Sequence, residues 1–302
     1  MDDSRRGRRA RRLIFSLVAT ATIAFPSITF AQRFDDVGVR AQGMAGAFVA
    51  VADDASATWW NPAGLATSRG VAEGQVEAGE GGFRGISLAF PSLAASYYRL
   101  SIKQIQPSSP IGSVPSSRED NGVVSQFGAT FGQSITQQIV LATTVKLVNA
   151  ESDTQADLDL GVMASVGLVR LGVTVRDLRN PTFGSGPGAF EIGRRARAGA
   201  SLIVPAHGGL DRLVLALDAD LNSTRTAGRD EQEVAGGVET MWLGQRLGVR
   251  AGAGVNTATS GGAFGAFGVS VMPYPRLNIE GAVTRGADSA RDRWTLGLRL
   301  TF

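Results

Sequence analysis

The last ten residues alternate without exception: Trp294, Leu296, Leu298, Leu300 and Phe302 share one parity, and Arg293, Thr295, Gly297, Arg299 and Thr301 the other. A strand turns successive side chains to opposite faces, so one face here is apolar, with an aromatic residue at each end. A lipid-facing barrel strand has this pattern, and so does a half-buried strand of a soluble sandwich. One strand does not separate them. The pattern recurs, however: Leu277, Ile279, Gly281 and Val283 oppose Arg276, Asn278, Glu280, Ala282 and Thr284, and Val169, Leu171, Val173 and Val175 oppose Arg170, Gly172, Thr174 and Arg176. Carried along the chain, it predicts strands near 70–79, 83–91, 93–103, 122–132, 136–150, 156–167, 168–178, 190–204, 211–223, 232–243, 245–256, 262–273, 275–286 and 290–302. These are fourteen, an even number, as single-chain bacterial barrels require, and each is about as long as the ~9–11 residues of a tilted membrane strand.

Turn chemistry supports this division. Pro91-Ser92, Pro273-Tyr274-Pro275, Thr259-Ser260-Gly261-Gly262 and Ala287-Asp288-Ser289 fall between strands, where Pro, Gly, Asp and Ser suit turns. Two longer connections, Gln104 to Asn121 and Asn180 to Gly188, are rich in Pro, Ser or Gly and are expected on the extracellular side. The thirty-nine glycines suit tight bends and close packing inside a small barrel.

The first thirty-one residues stand outside this pattern. Arg5, Arg6, Arg8, Arg9, Arg11 and Arg12 precede an apolar run from Leu13 to Phe25, and Thr29-Phe30-Ala31 forms a small-large-small site, so a secretory signal cleaved after Ala31 is expected. Six of the thirty basic residues and two of the twenty-seven acidic ones lie in it, leaving 24 and 25. No basic excess survives to neutralise phosphates, which excludes nucleic acid as a partner. Cysteine is absent, excluding disulfides and thiolate metal sites. No apolar stretch of the mature chain is long enough for a spanning helix, so any membrane span must be a closed barrel.

Between signal and strands, residues 32–69 change period. In Gly38-Val-Arg-Ala-Gln-Gly-Met-Ala-Gly-Ala-Phe-Val-Ala-Val-Ala-Asp-Asp-Ala-Ser-Ala-Thr-Trp-Trp-Asn-Pro-Ala-Gly-Leu-Ala66, the positions of Met44, Phe48, Val51 and Ala52 predict one helical face that Asp53 and Asp54 end. Ser56 is placed to cap a second short turn that Pro62 stops. Such a segment either lies in the periplasm as an amphipathic helix pair or packs inside the lumen, where Gly43, Ala45, Gly46 and Ala47 permit close approach to the wall. These residues resemble FadL-type outer-membrane transporters and the related PorV/PorQ proteins, with the wording nearer to the latter. The resemblance extends loosely along the chain, through Asp159-Leu160-Gly161 to the terminal Phe302. It implies an all-β fold, an up-and-down transmembrane barrel of fourteen strands spanning 70–302, with an N-terminal hatch in its lumen. The hatch motif would comprise Gly43, Met44, Gly46, Phe48, Asp53, Asp54 and the Asn61-Pro62-Ala63-Gly64 signature. Phe302 resembles the terminal signal read by the barrel-assembly machinery. The implied location is the outer membrane of a Gram-negative bacterium, with outer-membrane lipid as its surroundings. Ala45 departs from the glycine of many relatives.

Some outer-membrane barrels are Ser/His enzymes, but this chain holds one histidine, His207, in a predicted turn with only Asp211 nearby. Histidine metal sites and EF-hand loops are likewise missing from the sequence, so neither catalysis nor a cofactor is expected. Charges of inward parity fall on adjacent strands: Asp157 and Asp159 beside Arg170, Arg195 and Arg197 beside Asp218 and Asp220, Glu239 beside Arg246 and Arg250, and Glu280 beside Arg299. They form either a balanced, solvated lining or a ladder of ion pairs that, with the hatch, leaves no open pore. Two functions follow from the resemblance: passive uptake of fatty-acid-like hydrophobic molecules, or a non-transporting barrel serving a secretion apparatus as scaffold or acceptor for secreted proteins. A deep apolar cavity beneath the extracellular loops would favour the first, and a filled lumen the second.

Overall fold

The computed structural model describes Phe30–Ala31 and residues 37–67, 72–103, 121–150, 153–184, 189–226, 229–258, 262–287 and 291–302. Fourteen strands form one closed barrel: β1 (Glu73–Gly79), β2 (Arg84–Phe90), β3 (Leu93–Lys103), β4 (Asn121–Ser134), β5 (Ile139–Ala150), β6 (Asp153–Val166), β7 (Val169–Arg176), β8 (Arg195–His207), β9 (Leu210–Asp220), β10 (Glu233–Trp242), β11 (Leu247–Asn256), β12 (Ala263–Tyr274), β13 (Leu277–Gly286) and β14 (Arg293–Thr301). All neighbouring pairs are antiparallel. β14 closes the circle on β1, with Leu298 opposite Val76 and Thr301 opposite Glu73.

The direction of the alternation separates membrane barrel from soluble sandwich. Leu296 is 58 % exposed while its neighbour Thr295 is 1 % exposed, so the apolar parity faces out and the polar parity in. The same inversion runs around the wall, with Ile86, Phe127, Leu147, Leu171, Leu217, Phe267 and Ile279 outside and Gln75, Gln126, Lys146, Asp157, Asp218, Glu239 and Asn278 buried inside. In water such a surface would be unstable; in lipid it buries its apolar face.

At one end the strands are joined by short turns, including Pro91-Ser92, Gly167-Leu168, Gly208-Gly209 and Pro275-Arg276. Phe302 lies at this end too, its backbone N–H donating to the carbonyl of Ala72 at 2.9 Å. Short turns mark the periplasmic rim, and the longer connections gather at the other, extracellular rim. Pro273 and Tyr274, expected in a turn, instead end β12, where the pairing shifts register between Val271 and Tyr274. Above the long-loop rim, Thr182–Phe183, Phe190–Glu191, Thr224–Thr226 and Arg229–Glu231 form a small sheet with Phe30–Ala31. If the signal is cleaved after Ala31, the Phe30–Ala31 pairing belongs to the precursor alone.

Candidate functional site: the plugged lumen

Residues Val37 to Leu65 lie almost wholly buried inside the barrel. They do not form the continuous helix that their periodicity predicts. A five-residue helix, α1 (Val39–Gly43), ends where Ala45 (φ 56°) and Gly46 (φ 78°) enter the left-handed region. A second short helix, α2 (Ala57–Trp60), follows, and Pro62 opens a 3-10 turn over Pro62–Thr67 rather than ending the structure. Ser56 makes no side-chain cap for α2; its hydroxyl donates to Asp54 Oδ1 at 2.6 Å.

The irregular path follows from what the wall offers. Three wall carboxylates accept hatch backbone N–H groups. Glu77 takes those of Gly38 and Val39 at 3.0 and 2.8 Å, at the start of α1. Asp218 takes Phe48 and Val49, both at 2.8 Å, and Glu73 takes Ala55 at 2.8 Å. Buried amides need partners, and charged acceptors are strong ones, so these contacts replace the bonds a longer helix would have made internally. Glu73 and Glu77 were not singled out in the sequence; their inward parity in β1 was the available signal.

Wall glycines set how close the hatch comes. A side-chain carbon at Gly252 would stand 2.4 Å from the carbonyl carbon of Met44, and one at Gly237 2.8 Å from Met44 Cβ. At Gly268 it would meet Gly43 Cα at 3.1 Å. These three positions lie on adjacent strands, β10 to β12, and make a shallow trough for α1. Phe48 packs edge-on against Trp60, and Arg40 lies 5.2 Å from its ring centroid. Gly64 abuts the Ala52 carbonyl, where any side chain would collide.

Arg40 is the charged hub. Its guanidinium contacts Asp53 and Asp54, each at 2.7 Å, and both oxygens of Glu239 on β10 at 3.0 Å. Burial disfavours its charge, but these carboxylates outweigh that and raise its pKa well above the ordinary arginine value. Asp53 also receives Arg212 of β9 at 2.9 Å. Burial pushes the Asp53 carboxyl up, yet Arg212, Arg40 and Arg170 together hold it well below the usual carboxylate range. Asn61 binds the hatch to itself and to the wall. Its amide donates to the carbonyls of Val49 and Val162 at 3.0 and 3.1 Å, and its Oδ1 accepts the N–H of Ala63 at 3.1 Å.

The lumenal charges pair selectively. Arg250 lies 2.9 Å from Glu239, Arg299 2.8 Å from Glu280, and Arg195 2.9 Å from Asp220. Arg197 stands farther off, 3.8 Å from Asp218 and 3.6 Å from Asp220. Two expected pairs are corrected. Arg246 lies exposed in the turn after β10, away from Glu239. Asp159 does not meet Arg170, because the Gly167-Leu168 turn sets Ser165 opposite Arg170 and Leu160 opposite Val175. Asp159 instead joins Asp157 and Asp177 around Lys146, whose Nζ lies 2.6, 3.4 and 2.5 Å away. The ammonium occupies the space a cation would take among these three carboxylates. Lys146 was missed although it shares parity with inward Thr144 and Val148.

The lumen is also divided by character. Towards the long loops, Tyr98, Leu100, Val124, Val148 and Ala150 line β3 to β5 around Trp59, beneath Phe183 and Phe190 of the connection after β7. Trp59 packs edge-on to Tyr98 at 5.4 Å, and Arg176 covers its other ring contact at 3.7 Å. At the short-turn end, a cavity of about 640 Å³ is lined by Arg40, Asp53, Arg170, Arg212, Glu239 and Arg299 beside Ile203, Met241 and Met272. Its position and charge differ from the deep apolar cavity beneath the extracellular loops that would favour uptake.

No family model matches the chain, and no curated protein matches it. Solved structures do. The CymD monoaromatic hydrocarbon channel superposes with a TM-score of 0.59 at 12 % identity, over 92 % of this chain and 98 % of that one. A Pseudomonas aeruginosa FadL homologue gives 0.59 at 10 % identity, over 88 % and 98 %. The Pseudomonas putida toluene transporter TodX gives 0.58 at 10 % identity, over 90 % and 98 %. At such identities the likeness is one of fold. The closed barrel, with its apolar exterior, defines the chain as an outer-membrane β-barrel of the Gram-negative type. Within that class its fold is that of the FadL-type barrels.

Proposed function

We propose that this barrel takes up hydrophobic small molecules by passive transport. The observation that carries the reading is the divided lumen: an apolar sector of Tyr98, Leu100, Val124 and Val148 meets Trp59 at the extracellular half, while the hatch fills the path below. An apolar solute that displaces these packed side chains exchanges water for apolar surroundings, whereas an ion meets a plugged interior. The three superposed structures, a hydrocarbon channel, a toluene transporter and a FadL homologue, agree with this. The reading includes no catalysis; His207 ends β8 beside the Gly208-Gly209 turn.

Uptake of a radiolabelled fatty acid and of a radiolabelled monoaromatic hydrocarbon, in a Gram-negative host stripped of its own FadL-type barrels, tests it. The full chain should restore uptake of at least one, and Leu100→Arg should abolish that gain at equal outer-membrane yield. Equal uptake by both forms, or none by either, sinks the reading. Large steady conductance steps in planar bilayers would sink the plugged lumen. The hatch wording and the filled barrel favour a second reading, a scaffold for secreted proteins. Stable protein partners co-purifying from the native membrane, with no bound lipid or hydrocarbon by mass spectrometry, would support it.

A further inference from the structure

The outer wall carries two arginines that neither the hatch nor uptake of an apolar solute explains. Arg84 opens β2 at the long-loop end, and in the pairing of the two strands it stands opposite Arg99 of β3. Both are exposed, and both share the outward parity of Ile86 and Tyr97, the next lipid-facing pair towards the short-turn rim. Cross-strand partners of this kind hold their Cβ atoms about 4.5–5.5 Å apart, a separation at which like charges repel. Neither guanidinium has an ion-pair partner among the described residues. Glu80, exposed in the turn before β2, pairs with neither.

The register places this pair on a boundary. Arg84, Arg99, Ser125, Asn149 and Thr154 lie opposite one another in turn across β2 to β6 and form one polar row. Two residues nearer the short-turn rim on each strand, Ile86, Tyr97, Phe127, Leu147 and Ala156 form the next outward row, which is apolar or aromatic throughout. A cation on the lipid face of a barrel costs least where the apolar band ends, and there the headgroups of the outer leaflet begin. One row further down, Ala95 and Ala129 are neighbours between Leu88 and Val145, so the wall is recessed beneath Tyr97 and Phe127.

Two facing guanidiniums are satisfied together by one anion with several oxygens. A phosphate monoester accepts forked N–H groups from both and cancels their repulsion. The apolar row adjoining the arginines faces lipid, which favours a phosphate carried by a lipid over one free in water. We propose that the outer face of β2 to β4 binds one phosphorylated lipid of the outer leaflet, its phosphate between Arg84 and Arg99 and an acyl chain over Ala95 and Ala129. Ser125, opposite Arg99, adds a hydroxyl donor in the same row. The site lies outside the lumen and does not depend on transport.

The test uses the full-length protein, purified in nonionic detergent, freed of native lipid and titrated with bisphosphorylated lipid A under native mass spectrometry. Saturable binding of one lipid A per chain is expected. Arg84→Gln combined with Arg99→Gln should weaken it about tenfold or more, the scale of a lost hydrogen bond to a charged group. Ala95→Trp, which fills the recess, should weaken it as well. Arg285→Gln removes an outward arginine that already has Asp292 at 3.6 Å, and it should leave binding unchanged. Dephosphorylated lipid A should not compete, nor should inorganic phosphate at the same concentration. Should the double variant fail to fold, the wild-type comparison of phosphorylated with dephosphorylated lipid carries the test. Unchanged affinity in the double variant or in Ala95→Trp, an equal loss in Arg285→Gln, equal binding of the dephosphorylated lipid, or displacement by inorganic phosphate overturns the proposal.

Discussion

Gly252 of the barrel wall faces Met44 of the hatch so closely that a side-chain carbon there would stand 2.4 Å from the Met44 carbonyl carbon. Gly252→Val is therefore expected to unseat α1 rather than to deform the wall, since ten paired residues hold β10 to β11. Limited proteolysis of the folded barrel should show cleavage within residues 38–56 that the wild type resists. Gly265→Val, at a lipid-facing position with open space around it, should behave as wild type. Equal protection in the two variants would refute the trough.

Removing Arg40 leaves Asp53, Asp54 and Glu239 facing one another in a buried site. Arg40→Met should cost about 3–5 kcal/mol, the scale for stripping one partner from a buried ion network. Arg40→Lys should recover only part, because a point charge cannot span two oxygens of Glu239 and two hatch aspartates. Thermal unfolding followed by heat-modifiable gel mobility measures both, and an unchanged midpoint in Arg40→Met would exclude the hub.

Acid should loosen the hatch through Asp53. Its carboxyl is held below the usual range in the docked state, so its contribution is complete above the unfolded value of about 3.9 and is lost as pH falls below it. Hydrogen exchange of the hatch amides, corrected for intrinsic rate, should gain a rise below about pH 4 that depends on Asp53. Asp53→Asn should weaken docking at neutral pH and flatten that rise. A rise that survives the substitution would assign it to other groups.

The two inward and outward features of β14 should separate in assembly. Phe302 is exposed at the short-turn rim, with its backbone bonded to Ala72, whereas Arg299 points inward to Glu280 and Glu73. Deleting Phe302 should lower the yield of folded barrel in the outer membrane. Arg299→Ala should assemble near normally and unfold at lower temperature. Equal yield with and without Phe302 would end its reading as an assembly signal.

All fourteen barrel strands were legible in the sequence, because alternation with period two is a local property that each strand carries whether or not its neighbour is known. The decapeptide from Arg293 to Phe302 shows this, with every apolar residue outside. Partner choice was not legible in the same way. Asp159 reaches Lys146 rather than Arg170 because pairing depends on register, and register is set by a two-residue turn that shifts contacts several residues along the wall. The hatch shows the larger gap. Its composition marked it as a small-residue segment fit for close packing, but its helical period was overridden where Glu77, Asp218 and Glu73 capture amides 18 to 170 residues away in sequence. Local pattern determined which side chains face lipid and which face the lumen. Only the closed barrel decided which lumenal charges meet, how the hatch bends between them, and that Arg170 lines the short-turn cavity without an ion-pair partner among the described residues.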